Sequence, residues 1–375
     1  MKVCYFGTYR SNYVRNKLMI SCLRSRGIQV IECHVHLWRG MDNRLEMIEK
    51  GWKLPRFWIR FFWSYLLLVW KYIWIESHDI MIIGYPGHLD ILLGWILSKF
   101  RRNILIWDFF ISIYLVLNER QMDKKNPSIV RVCQLIERIS LNLSDIIITL
   151  TKEYSDWIIS KYNIPKKKIR ILALSTDEAI YKKIPSRRID PSTFLCVFYG
   201  TFNPTHSVNT IIETAELLTN ENNIKFKLIG SGPEYIKISE LLKTKRLNNV
   251  ELTGWIQIDE LIEIINQADL CLGTFGKTLH AEMTLQNKII ECLAIGKPVL
   301  TGDSAHIRKI FQIGSHLYVC DRENPKDLAK TILHLKSDPK SLERISIKGH
   351  KYYLDRFSSK QFCNNLVEIL NETIE

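Results

Sequence analysis

The stretch VELTGWIQIDELIEIINQADLCLGTFGKTLHAEMTLQNKIIECLAIGKPVL, residues 250–300, decides how the chain folds. Short apolar runs at Val250–Thr253, Asp269–Leu272 and Pro298–Leu300 alternate with segments of helical character. Strand, helix and strand in that order build a parallel sheet from βαβ units. The same alternation reaches upstream through Phe194–Tyr199 and Lys225–Ile229 and downstream to Leu317–Val319. An independent series fills the first half, with runs at Val3–Phe6, Gln29–Glu32, Ile80–Ile83, Ile104–Trp107, Ile146–Thr149 and Ile169–Leu174. The fold class is therefore α/β, in two Rossmann-like domains. After Asn324 the pattern is purely helical, near Pro325–Leu335, Pro339–Phe357 and Ser359–Ile374.

The two series are separated by YKKIPSRRIDPS, from Tyr181 to Ser192, where Pro185 and Pro191 disfavour both helix and central strand. This places an N-terminal domain at 1–185 and a C-terminal domain at 186–358, with a last helix at 359–375 packing back towards the N-terminal domain.

The chain has 375 residues and a formal net charge of +13. Residues 1–185 carry 29 Lys and Arg against 16 Asp and Glu, so the whole excess lies there, together with nine of the ten Trp. Cations beside Trp suit anionic lipid headgroups. No nucleic-acid recognition module is present, so nucleic acid is not an expected partner. The nine Cys are scattered without a C-x-x-C pair, as in a reducing cytoplasm. Cys33, His34 and His36 read as ordinary strand residues rather than metal ligands, because alternation points His34 away from the other two. The N-terminus lacks the features of a signal peptide. The most apolar run, Phe57–Ile75, is interrupted by Arg60 and Lys71, too soon for a spanning helix of about 20 apolar residues.

That run nevertheless reads as a helix that starts at Pro55. At 100° per residue Trp52, Trp63, Trp70 and Trp74 project within about 40° of each other, with Arg56, Arg60 and Lys71 on the adjoining arc. Such a flank suits a helix lying in the membrane interface.

Ligands of open α/β sheets bind beyond the carboxyl ends of the strands. The first strand ends FGTYRSNYVRNK, where Gly7, Arg10 and Arg15 precede or begin a helix but form no G-x-G-x-x-G, which argues against a dehydrogenase. In Cys271–Leu300 a Gly-containing loop carries Lys277 and His280, and a helix from about Thr284 presents Asn287, Lys288 and Glu291. Backbone N–H groups at a helix start, backed by Lys and His, hold a diphosphate, and a carboxylate one turn on accepts a ribose diol. No D-x-D pair follows a strand, so no metal is expected. In the first half, Tyr85–His88 follows one strand and Asp108 another. Asp108 stands in the apolar run ILIWDFFISIYL, where a carboxylate is costly unless it is paired, caps a helix or serves a substrate. Asp108 and His88 are the catalytic candidates.

NKIIECLAIGKPVL resembles the donor-site helix of the retaining GT-B glycosyltransferases of family 4, the group 1 glycosyl transferases. YGTFNPTHSVNTIIETAELL, LIGSGPEY and LTGWIQIDELIEIINQADLCLG resemble, in order and spacing, other parts of that family's C-terminal domain. The resemblance covers residues 194–310. It implies a GT-B fold with a cleft between the domains, ribose binding by Glu291, and a nucleotide beside Gly230, Ser231 and Gly232. It also implies a loop at Gly200 that carries cations, and here the chain departs, with Thr201 and His206 at those places. Met283 stands where the family often has Glu, with Glu282 one place off. Lys277, His280 and Lys288 are the cations expected to compensate.

The sequence thus points to a retaining, hexosyltransferase-like enzyme that uses a nucleoside-diphosphate sugar as co-substrate and needs no cofactor. Its acceptor is expected to be lipid-linked or a cell-envelope glycan, as in polysaccharide biosynthesis. The enzyme is expected to sit peripherally on the inner, cytoplasmic face of an anionic membrane. The alternatives are a nucleotide-sugar epimerase of the same architecture, against which the aromatic helix counts, and a non-catalytic scaffold on the membrane.

Overall fold

The computed structural model describes residues 1–37, 55–185 and 190–374. Trp52 lies outside them. The chain divides into two compact units, Met1–Ala173 with Phe362–Glu375, and Leu174–Gln361. The division falls ahead of the Pro185–Pro191 stretch because the residues just before it pack with the second unit. Asn266 Nδ2 donates to the Pro185 carbonyl (2.9 Å) and the Tyr353 hydroxyl to Glu178 (2.9 Å).

The first unit is built on strands β1 (Lys2–Gly7), β2 (Gln29–His34), β3 (Ile80–Ile83), β4 (Ile104–Asp108), β5 (Ile146–Thr149) and β6 (Ile169–Ile171). Their order is β2-β1-β3-β4-β5-β6 and every pairing is parallel. A parallel sheet is covered on both faces, which is why all four residues of β3 are apolar and buried. The last helix, Ser359–Ile374, sets Phe362, Leu366, Ile369 and Leu370 into this unit's core beside Val3, Tyr5 and Leu23. Spacings of three and four place those side chains on one helical stripe. The side chains of Cys22 and Cys363 meet there, with Cα atoms 5.3 Å apart.

The aromatic helix spans Pro55–Trp74 and buries only Ser64, Leu68 and Tyr72. Trp63, Trp70 and Trp74 are 65%, 60% and 75% exposed, so the tryptophan flank faces out. Arg56 is exposed and Arg60 is half-buried. Lys71 turns inward, donating to the His34 carbonyl (2.9 Å), so this cation is engaged with β2 and does not join the outer arc. The helix ends where Arg101 donates to the carbonyls of Tyr72, Ile73, Ile75 and Glu76 at 2.8–3.1 Å, satisfying groups that a helix terminus leaves open. Among the described residues no helix is long and apolar enough to cross a membrane.

The second unit contains β7 (Phe194–Tyr199), β8 (Ile224–Ile229), β9 (Val250–Thr253), β10 (Leu270–Leu272), β11 (Val299–Gly302) and β12 (Tyr318–Cys320), all parallel, in the order β12-β11-β10-β7-β8-β9. Phe198, Phe202, Phe226 and Ile211 lead its core. Asp269 stays outside β10 because its carboxylate accepts the Leu195 N–H (2.8 Å). The helix expected from Thr284 begins at Asn287, preceded by a separate turn of helix at Leu279–Met283 that Thr278 caps by accepting the Ala281 N–H.

Candidate active site

In the second unit the loops after β7, β8 and β10 are stitched together by their backbones. Gly200 and Gly230 both have φ far into the positive range, +138° and +129°. A Cβ on Gly230 would stand 2.0 Å from the Gly200 carbonyl oxygen, and one on Gly200 would stand 3.0 Å from Lys288 Nζ. The Phe202 N–H donates to the Ser231 carbonyl (3.0 Å), and the Phe275 and Gly276 N–H groups donate to His206 and Thr205 (3.2 and 3.1 Å). The rest of the Gly230–Gly232 turn lies against the Gly200 loop in the same way, a Cβ on Gly232 meeting Phe202 backbone atoms at 2.7 Å.

Lys288 enters this junction from the first turn of the helix Asn287–Ile295 and is 5% exposed. Its Nζ lies 3.8 Å from the centre of the Phe198 ring and has no hydrogen-bond partner. Burial, which penalises the charged form, pushes its pKa down to about 7. Glu291 follows one turn later and is also buried. Its carboxylate accepts from the Tyr199 hydroxyl (2.8 Å) and bonds the Tyr181 hydroxyl, yet burial outweighs both and lifts its pKa to about 7. His206 bonds the Thr201 carbonyl through Nδ1. Burial, with Lys288 and His280 nearby, holds its pKa well below the ordinary histidine range. Burial and these neighbours thus disfavour a charged His206 at the place where the family carries a cation. Thr201 and Asn287 are half-buried at the edge of the junction, as is His280, while Lys277 is exposed, its N–H donating to Glu323 (2.9 Å). Met283 is buried and Glu282 exposed.

Arg322 escaped the sequence reading. Arg322 is 6% exposed and donates to the carbonyls of Asp303, Gly276, Ala281 and Gly302 at 2.7–3.2 Å. It fixes the loop that carries Lys277 and His280. No nearby motif announces this, since its partners are backbone atoms distant in sequence.

In the first unit the expected residues find protein partners. Arg15 Nε and Nη2 bind Asp108 at 2.7–2.9 Å, the pair fully buried, and Nη1 reaches the Leu172 carbonyl (3.3 Å). This pairing accounts for both residues, so Arg15 is not open to a donor nor Asp108 to a substrate. The helix after β4 is capped by Ser112, whose Oγ accepts from the Leu115 N–H (3.2 Å). Gly7 touches no open space either, for a Cβ there would stand 2.4 Å from Asp90 Oδ2. Arg10 is half-buried, its N–H donating to the Tyr85 carbonyl (3.2 Å). His88 is buried, its Nδ1 at the Pro86 carbonyl and its Nε2 3.5 Å from Glu137 Oε1. His88, Asp90 and Glu137 border an apolar cavity of about 140 Å³. Glu137 also escaped the sequence reading. It caps the helix Ile113–Glu119 through the Tyr114 N–H (3.2 Å) and bonds the Ser112 hydroxyl (2.8 Å). Among the described residues no group of three or more His, Cys, Asp or Glu is placed to hold a metal ion.

Residues 193–338 match the family model described as glycosyl transferases group 1. A chitobiosyldiphosphodolichol beta-mannosyltransferase of Debaryomyces hansenii is 26% identical over 253 residues, 60% of this chain and 52% of that protein. The chain thus spans about half the length of this curated relative. Among solved structures, Anabaena HepE in complex with UDP and glucose has a TM-score of 0.69 at 13% identity, over 99% of both chains. Sucrose-phosphate synthase from Thermosynechococcus elongatus has a TM-score of 0.76 at 14% identity, over 100% of this chain and 98% of that one. Both structures share the fold alone. The matched segment falls on the unit that holds Lys288 and Glu291, so that unit is similar to the group 1 glycosyl transferases, and the chain as a whole has the GT-B fold.

Proposed function

We propose that this chain transfers a hexosyl group from a nucleoside-diphosphate sugar to a lipid-linked or cell-envelope glycan acceptor, with retention at the anomeric carbon. The observation that carries the reading is Lys288, a buried amine without a hydrogen-bond partner at the start of a helix and against the backbone of Gly200. A diphosphate there supplies the missing acceptor and the charge that restores the ammonium form, while helix N-terminal N–H groups add their partial positive charge. Glu291, one turn on, accepts the ribose hydroxyls. In the transfer the bond from C1 to the β-phosphate oxygen breaks and a bond from C1 to the acceptor oxygen forms. The electron pair leaves on the diphosphate, stabilised by Lys288, and the acceptor proton passes to the departing phosphate oxygen on the same face. This route needs no side-chain nucleophile and no metal. The D. hansenii relative is named for a beta linkage, so the anomer of the product, read by NMR, decides retention.

The exposed tryptophans and the basic first half support a peripheral position on the cytoplasmic membrane face. The dolichol named in the D. hansenii relative supports a lipid-linked acceptor. Calorimetric titration with UDP, GDP, ADP, CMP and dTDP tests the donor site. Micromolar binding of one of them, lost in Glu291→Ala, is expected; no binding to any would overturn the reading and favour the scaffold.

A further inference from the structure

The cavity in the first unit, at about 140 Å³, is close to the roughly 150 Å³ of an apolar cavity that stays dry and admits a benzene-sized hydrocarbon. Phe57, Phe61, Leu117, Met122, Cys133 and Ile136 are among the apolar residues of its wall. The carboxylates at its border are already saturated. Asp90 accepts from the Thr8 N–H (2.7 Å), the Thr8 hydroxyl (3.1 Å) and the Tyr65 hydroxyl (2.7 Å). Glu137 accepts from the Ser112 and Tyr162 hydroxyls and from the Ile113 and Tyr114 N–H groups. A sugar entering here would give up its hydration for walls that offer few open partners, a desolvation left largely uncompensated. A hydrocarbon carries no such cost.

The mouth of the cavity lies at the surface, since Trp58 and Ile129 line it and are 42% and 40% exposed. The helices that carry them expose further apolar side chains, Ile59, Phe62 and Trp63 on one and Val132, Leu135 and Ile139 on the other. Cations stand on these helices and on the short turn Met122–Lys125 just before the second, with Arg56, Lys124, Lys125 and Arg131 all exposed. Apolar surface around an apolar opening, with positive charge beside it, complements a chain that leaves a bilayer attached to an anionic head.

We propose that this cavity receives a segment of the hydrocarbon chain of the acceptor lipid, next to its anionic linkage; this deepens, and rests on, the lipid-linked acceptor reading. The chain is held by dispersion and burial against Phe57, Phe61 and Ile136, and the head by the flanking Lys and Arg.

The test is titration of the full chain with farnesyl diphosphate and with inorganic diphosphate, for the wild type and Ile136→Trp, whose larger side chain fills the cavity. Farnesyl diphosphate is expected to bind the wild type and to bind the variant at least tenfold more weakly, both proteins binding nucleotide alike. Equal affinity in wild type and variant overturns the proposal, as does an equal loss in the variant for inorganic diphosphate, which has no chain to place in the cavity. Should Ile136→Trp melt lower than the wild type, a benzophenone-bearing farnesyl diphosphate replaces it. Adducts within 55–74 or 113–143 are then expected, and adducts confined elsewhere overturn the proposal. Nucleotide binding is read in the same samples, so a failed donor site and a failed chain site give different results.

Discussion

Gly230 rests directly on Gly200: a single added methyl group at Gly230 would stand 2.0 Å from the Gly200 carbonyl oxygen. Neither backbone is free to yield, because the Gly200 N–H is itself bonded to the Ile229 carbonyl (2.9 Å). Gly230→Ala must therefore part the two loops and strain a residue at φ +129°, at a cost of about 1–3 kcal/mol for the backbone alone. The expected outcome is a lower denaturation midpoint and loss of nucleotide binding, seen by urea titration and calorimetry. Unchanged binding would mean that the Gly200 loop does not shape the donor site.

The two titrating groups at that site give its pH dependence a definite form. In the proposed donor site a diphosphate would need Lys288 protonated, and the ribose would need Glu291 ionised. With both pKa values displaced to about 7, affinity of the free protein for the nucleotide peaks near neutrality. It falls below as Glu291 takes up a proton and above as Lys288 loses one. Lys288→Met is expected to weaken binding at least tenfold and to remove the alkaline limb, and Glu291→Gln to remove the acid limb. Stability follows the opposite preference at Glu291. Its folded-state pKa lies above the ordinary 4.5, so the stabilisation is complete below pH 4.5 and is lost as pH rises to about 7. Glu291→Gln removes that decline, worth up to about 3 kcal/mol, which urea titrations at pH 5 and pH 8 measure.

How far the sequence could be read depended on whether a signal was local. Strands such as Ile80–Ile83 and Phe194–Tyr199 are visible because a doubly covered parallel strand is apolar at every position. Lys288 and Glu291 are visible because three residues apart on a helix puts them on one side. Arg15 and Asp108 were invisible as a pair because 93 residues separate them, and only the sheet order β1-β3-β4 brings their elements close. The fit of Asp90 beneath Gly7 and the grip of Arg322 on four carbonyls are equally non-local. Each alone looks like a free polar group available to a ligand.

The Arg15–Asp108 pair accordingly belongs to stability. Both partners are buried, and removing one leaves an uncompensated charge, which typically costs about 3–5 kcal/mol. Asp108→Ala is expected to lower the unfolding free energy by that amount while any folded fraction still binds nucleotide through the second unit. A loss below about 1 kcal/mol, with turnover abolished, would instead return Asp108 to the chemistry.

Arg322 is expected to act on the proposed donor site through the loop it holds. Arg322→Met keeps much of the side-chain volume but leaves the carbonyls of Gly276, Ala281, Gly302 and Asp303 without their donor. Each buried carbonyl so orphaned costs of order 1 kcal/mol, and the loop carrying Lys277 and His280 loosens. The expected result is a raised KM for the sugar donor with little change in affinity for the bare nucleotide. An equal loss for both would place its effect on the whole unit.

The aromatic helix offers the last test. Trp63, Trp70 and Trp74 are 60–75% exposed, so replacing them with Ser removes almost no packing and should leave the melting temperature unchanged. What it removes is exposed apolar surface that a bilayer interface would cover, at about 25 cal/mol per Å². Flotation with anionic vesicles is expected to recover the wild type and to lose the triple variant at least tenfold. The wild type should also detach as salt rises, because Debye screening weakens the contribution of Arg56 and its neighbours. Equal recovery of the two proteins would show that the exposed tryptophans serve something other than a membrane. Salt-independent recovery would show that the positive charge of the first half is not what draws the chain there.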